Sequence, residues 1–221
     1  MKTVNRALFA AAVTVSAGLG SLAPANAATE TWNFNSPTGT LGTTQPYLST
    51  PDGISITAAG FITGPTFATL ATPVLLFGKN DAGDEAGVGI AADPSGDHEI
   101  FGNPNPGPGD VVRITVPTGV TLTSFTMGSV QTGEGWALYG THDAAGLTGY
   151  ALITSGTTDG TFSLPTGFTA FYFAATSGNV LLDAVAGTST VPLPGALPLF
   201  VTGLGLMGLL RMRRKRSVAA T

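Results

Sequence analysis

Residues 28–190 predict an all-β fold, an antiparallel β-sandwich of jelly-roll type, on three observations. Charged residues are sparse, 10% of the chain, while Thr, Gly, Ala and Pro are abundant. No window in this stretch sustains a helical apolar repeat free of Gly or Pro. Short runs alternating with period two recur instead, and turn residues separate them, often at about 8–15 residues, the rhythm of antiparallel strands.

Taken in order, Trp32 and Phe34 share one face of a first strand, and Ile54 and Ile56 one face of the next. Val112, Ile114 and Val116 alternate with Val111, Arg113 and Thr115. Phe125 pairs with Met127, Trp136 with Leu138, Phe171 with Phe173, and Val180 with Leu182. Turn signals fall at Pro51-Asp-Gly53, Pro117-Thr-Gly119, Thr132-Gly133, Asp143 to Gly146, Asp159-Gly160, Pro165-Thr-Gly167 and Ser177-Gly-Asn179. Two sheets, each apolar on one face, would bury those faces against each other. A β-helix is the alternative, and no constant repeat period supports it. Gly102 to Gly109 breaks the rhythm: three prolines and three glycines remove ladder donors, so it reads as a surface loop feeding the strand from Asp110 to Val116.

The ends differ from the middle. Lys2 and Arg6 precede an apolar, small-residue run from Ala7 to Leu22, and Ala25-Asn-Ala27 supplies what signal peptidase needs. Residues 1–27 therefore read as a signal peptide cut after Ala27, which makes the domain an exported one. At the other end, Val191 to Leu210 is 20 residues without a charge, long enough to cross a hydrocarbon core of about 30 Å. Arg211, Arg213, Arg214, Lys215 and Arg216 follow, five basic residues in six positions that stop transfer. Residues 217–221 make a short tail end. Pro192, Pro194 and Pro198 sit at the front of the span, where missing backbone donors are tolerated.

Removing both ends changes the charge. Residues 28–190 keep two cations, Lys79 and Arg113, against all 13 acids, a net charge of −11 where the whole chain carries −4. Such a surface repels phosphate backbones, which argues against a nucleic-acid partner, and attracts cations. There is no cysteine, so no disulfide staples the domain and no thiol chemistry is open to it. A single domain of 163 residues is long enough to bury its own core.

Six of the 13 acids, Asp81, Asp84, Glu85, Asp93, Asp97 and Glu99, fall within 19 residues. Crowded carboxylates repel unless something offsets them, and calcium accepts such oxygens in loose geometry. The glycines at 83, 87, 89 and 96 would let backbone fold around an ion. The alternative is a solvated acidic loop, and the spacing fits neither an EF-hand nor a glycine-rich calcium nonapeptide. Catalytic constellations are missing. His98 and His142 are the only histidines, no Gly-x-Ser-x-Gly elbow occurs, and Ser95 reads as a turn residue, so the chain is read as non-enzymatic. Trp32, Trp136, Tyr139, Tyr150 and Tyr172 offer aromatic faces for sugar stacking. Trp136 sits at a core-like strand position, with Tyr139 on the opposite face.

The C-terminal order of Val191-Pro192-Leu193-Pro194, apolar span and basic cluster resembles the PEP-CTERM sorting signal of Gram-negative bacteria. Leu193 stands where the family's eponymous motif has Glu, a Val-Pro-Leu-Pro variant. The run from Asn80 to Ile100, with Asp84-Glu85, Gly87-Val-Gly89 and Glu99-Ile100, is similar to a block in the ectodomains of one PEP-CTERM subgroup. The resemblance implies processing by exosortase near Pro194, inner-membrane anchoring beforehand, and a final place at the cell surface or in the extracellular matrix, linked to exopolysaccharide and biofilm. A calcium-assisted carbohydrate-binding module that docks to exopolysaccharide is the second expectation.

Overall fold

A computed structural model describes residues 27–190 apart from 64–69, 82, 84, 103–108 and 144–148. The described residues form 14 strands and no helix. The first seven are β1 (Ala28–Asn33), β2 (Gly39–Thr40), β3 (Thr44–Leu48), β4 (Ser55–Thr63), β5 (Leu70–Val74), β6 (Leu76–Asn80) and β7 (Ala86–Ile90). The second seven are β8 (Ile100–Gly102), β9 (Asp110–Thr115), β10 (Val120–Gly128), β11 (Gly135–Thr141), β12 (Ala151–Gly156), β13 (Gly160–Ser163) and β14 (Ala170–Ser189). All belong to one hydrogen-bonded network, antiparallel throughout, that curls into a half-barrel.

The 20-residue β14 is the spine. Its first half lies between β9 and β11, with Phe171 opposite both Ile114 and Gly140. Its second half lies between β10 and β1, with Val185 opposite both Phe125 and Trp32. Ser177-Gly-Asn179, expected to be a turn between strands, is instead the bend between these halves, and the chain runs on through it. Gly178 takes φ 64° there. A side chain at 178 would also collide with the Glu134 side chain, 2.4 Å away.

Curling lets one core draw on both halves. Ile114, Leu138, Phe171 and Phe173 meet Trp32, Phe125, Leu182 and Val185 in a single buried cluster. Phe125 is the hub of its aromatic part, 5.3 Å from both Trp136, edge-on, and Phe173. The period-two pairs read from sequence are therefore core residues. A bulge between Leu122 and Ser124 shifts the alternation of β10, so that Leu122, Phe125 and Met127 all face inward. Where β14 is flanked by β9 and β11 its other face is covered too: Val111, Ala170, Tyr172 and Ala174 form a second cluster beneath Tyr139 and Tyr150.

Candidate functional site

The acidic run does not form a continuous loop. Lys79 and Asn80 end β6, Ala86–Ile90 is β7, and the two pair from Leu76↔Ile90 to Asn80↔Ala86. This hairpin brings Glu85 opposite Asp81, whose N–H donates to the Glu85 carbonyl (2.9 Å). Lys79 then reaches both Glu85 and Glu99, with Nζ 2.7 Å from a carboxylate oxygen of each. Glu99 also accepts from Ser129 Oγ at 3.1 Å. Two of the six acids thus share one ammonium. Burial alone would lower the Lys79 ammonium, but hydrogen bonding and attraction to Glu85 and Glu99 reverse this and hold it above its ordinary range. Burial raises the Glu99 carboxyl, opposed by Lys79 and Ser129.

The other acids are held separately. Asp93 accepts from the Ser95 N–H (2.8 Å) and from its hydroxyl, closing an Asx turn. Asp97 accepts from Asn179 Nδ2 at 3.0 Å, which ties the run to the bend in β14. Asp81 is exposed, and Asp84 lies outside the described residues. Among the described residues no three His, Asp or Glu side chains gather closely enough to hold a metal ion. The glycines have another use. A Cβ at Gly87 would stand 2.5 Å from the Leu182 carbonyl oxygen, and one at Gly89 would stand 2.3 Å from that of His98. Gly87 and Gly89 thus let backbones pass in contact, a packing role, whereas Gly83 and Gly96 take φ 92° and 84° with open space where a Cβ would stand.

Beside this hairpin lies a polar groove of about 430 Å³, lined among others by Thr38, Phe77, Asn80, Asp81, Asp97 and His98. His98, at φ 62°, donates from Nδ1 to the Ala91 carbonyl (3.0 Å) and stacks on Phe77 with centroids 4.2 Å apart. That bond requires the proton on Nδ1 and orients the ring against Phe77. His142 is held in the same way, by the Gly167 carbonyl (3.0 Å) and the Phe168 ring (4.5 Å).

The aromatic candidates divide by depth. Trp32, Trp136 and Tyr172 are buried, while Tyr139 and Tyr150 are half-buried over the second cluster. Burial pushes the Tyr172 hydroxyl up to about 12, partly countered by the Arg113 charge. The signal peptide with Ala25, the motif Val191 to Pro194, the apolar span and the cluster Arg211 to Arg216 lie outside the described residues; Ala27, just before β1, is exposed. Among the described residues no helix is long and apolar enough to cross a membrane.

One acidic pair was missed in the sequence. Glu30 is fully buried on the core-facing side of β1, with Trp32 two residues on. Its Oε2 accepts from Ser49 Oγ (2.5 Å) and from the Asp52 N–H (3.2 Å). The Ser49 hydrogen bond chiefly holds the Glu30 carboxyl below its ordinary range, whereas burial and the Glu30 charge raise that of Asp52. The available signal was an acid at an inward position of an alternating strand. No protein-family model matches the chain, and no curated protein resembles it beyond chance.

Proposed function

We propose that this is an exported, non-enzymatic protein of the cell surface or extracellular matrix, sorted by a PEP-CTERM-like signal and linked to exopolysaccharide. Signal peptidase would release it after Ala27, residues 191–216 would hold it at the inner membrane, and exosortase would process it near Pro194. The observation that supports this reading is the extent of the β-fold. Its first strand starts at Ala28, its last ends at Ser189, and these two residues pair with each other. The first and last described strands thus close on each other inside the interval between the two expected cleavage points. The finer architecture in this reading is a jelly-roll sandwich, the halves of β14 lying in facing sheets over the common core.

Fractionation with mass spectrometry of both termini tests the proposal. The expected mature chain begins at Ala28 and lacks Arg211 to Arg216. A chain that keeps the basic tail, and whose location is unchanged when the tail is deleted, overturns it.

The groove favours a second reading, a carbohydrate-binding module docking to exopolysaccharide. It offers amide, carboxylate and hydroxyl groups beside the His98–Phe77 stack, the mixture that recognises sugar hydroxyls and a ring face. In this reading calcium would be drawn to Asp81 and Asp97, which line the groove. Retention on polysaccharide columns with and without calcium decides it: no retention in either condition leaves a purely structural role.

A further inference from the structure

Building on the carbohydrate-binding reading above, we propose that the groove beside the β6–β7 hairpin takes a polysaccharide without acidic groups and excludes those bearing uronate, sulfate or phosphate. Glycines shape this groove. β2 lies on β6 with Gly39 opposite Gly78, and a Cβ at Gly78 would run into the Pro37 carbonyl. A Cβ at Gly89 would likewise meet the His98 carbonyl. The segments carrying Thr38 and Asp97 therefore rest directly on the hairpin backbone. The Phe77 ring, stacked on His98, lines the trough that they enclose.

Charge decides what can enter. Residues 28–190 hold two basic side chains, Lys79 and Arg113. Arg113 lies over the Phe61 ring, 4.8 Å from its centre, and does not line the groove. Lys79 lines it, but Nζ already serves Glu85 and Glu99 at 2.7 Å each, one ammonium against two carboxylates. Asp81 and Asp97 line the same groove and form no ion pair among the described residues. An acidic group on a sugar ring would enter against these charges, with no free cation to offset its desolvation. Hydroxyl groups meet no such cost. The Asp81 and Asp97 carboxylates accept from them, and the Asn80 amide both donates and accepts. A hexose polymer with ring faces on the aromatic pair and hydroxyls on these groups is the class that fits.

Retention of the full chain, in detergent micelles with chelator at pH 8, on immobilised polymers tests this. The probes are neutral glucan, mannan and galactan, against alginate and polygalacturonate at equal ionic strength. Retention is expected on a neutral polymer, changing by less than about twofold over a roughly tenfold range of salt. Phe77→Ala should weaken it about tenfold or more. Asp97→Asn keeps an oxygen for the Asn179 amide and should weaken it severalfold, which decides the matter if Phe77→Ala does not fold. Asp52→Asn, on the turn between β3 and β4, should retain it. Neutral retention equal in the wild type and Asp97→Asn places the sugar elsewhere and overturns the proposal. Retention on alginate or polygalacturonate, in chelator or only once calcium is added, overturns the exclusion of acidic polymers and leaves the carbohydrate-binding reading standing. No retention on any polymer, with or without calcium, overturns both.

Discussion

Two acidic regions of this domain contrast in how their charge is met. The run from Asp81 to Glu99 is dense in sequence yet largely settled in space: Lys79 serves two carboxylates, Ser95 a third and Asn179 a fourth. The Glu30–Asp52 pair is sparse in sequence, 22 residues apart, yet meets no cation among the described residues. Charge density along a chain measures what folding must offset, and only the fold decides which residues remain to be offset. The domain's net charge of −11 makes that decision matter, because its two cations are already engaged.

The strongest test of this contrast removes Lys79. Its side chain is 12% exposed and that of Glu99 4%, so Lys79→Met strands a buried carboxylate beside a second one. A loss of about 3–4 kcal/mol in chemical denaturation is expected, because breaking one side of a buried pair costs far more than removing both. Lys79→Met combined with Glu99→Gln should recover more than half of it. Glu85→Gln alone should cost less than about 1 kcal/mol, Glu85 being 35% exposed. Equal losses in all three variants would mean that the run is solvated and the ion pairs contribute nothing.

Next in size is the glycine test. If Gly89 exists to wrap an ion, Gly89→Ala alters cation binding and leaves the calcium-free fold intact. If it exists for backbone contact, the new Cβ strikes the His98 carbonyl oxygen and the Glu99 Cα, 2.3 and 2.6 Å away. A loss of about 2–3 kcal/mol in chelator is then expected by thermal or urea denaturation.

The same distinction marks what was legible beforehand. Alternation showed that Trp32 with Phe34 and Phe171 with Phe173 face one side, because a strand's period is local. It could not show that Gly178 bends a strand instead of ending it. The backbone angle is the same in a turn, and what differs is the pairing of β14 with β10 and β11, whose residues lie dozens of positions away. The density of acids was equally plain, but the Lys79–Glu99 pair spans 20 residues and the Ser129–Glu99 bond 30. Glu30 escaped notice because nothing near it in sequence is charged, while its surroundings come from Ser49, Asp52 and Ser189.

A smaller effect should come from Asp110, a buried acid beside the acidic run that forms no ion pair among the described residues. Burial, opposed by the Phe101 N–H and reinforced by the Asp93 charge, pushes its carboxyl up to about 6. The folded state therefore keeps this proton to higher pH than the unfolded chain, where release falls near 4. Its contribution is most favourable below about pH 4, declines as pH rises to about 6, and stays low above that. Asp110→Asn retains an acceptor for Phe101 and should raise stability at pH 7 by about 1–2 kcal/mol, while flattening the profile between those limits. A profile unchanged by the substitution would place the titration on another group.

The finest test asks whether the two carboxyls of the missed pair carry opposite signs. The Glu30 carboxyl is held low, principally by the Ser49 hydrogen bond, so its contribution is present above the unfolded value of about 4.3 and is lost as pH falls through its folded value. Asp52 is held high by burial and then by the Glu30 charge, so its contribution is greatest in acid and fades as pH rises through its folded value. In chelator, Glu30→Gln should therefore remove a loss of stability on acidification, whereas Asp52→Asn should remove a loss on raising pH. Midpoints measured from pH 3 to 7 for both variants resolve the two slopes. Parallel slopes in the two variants would mean that the carboxyls do not share an environment, and the contrast between the two acidic regions would then reduce to the effect of Lys79 alone.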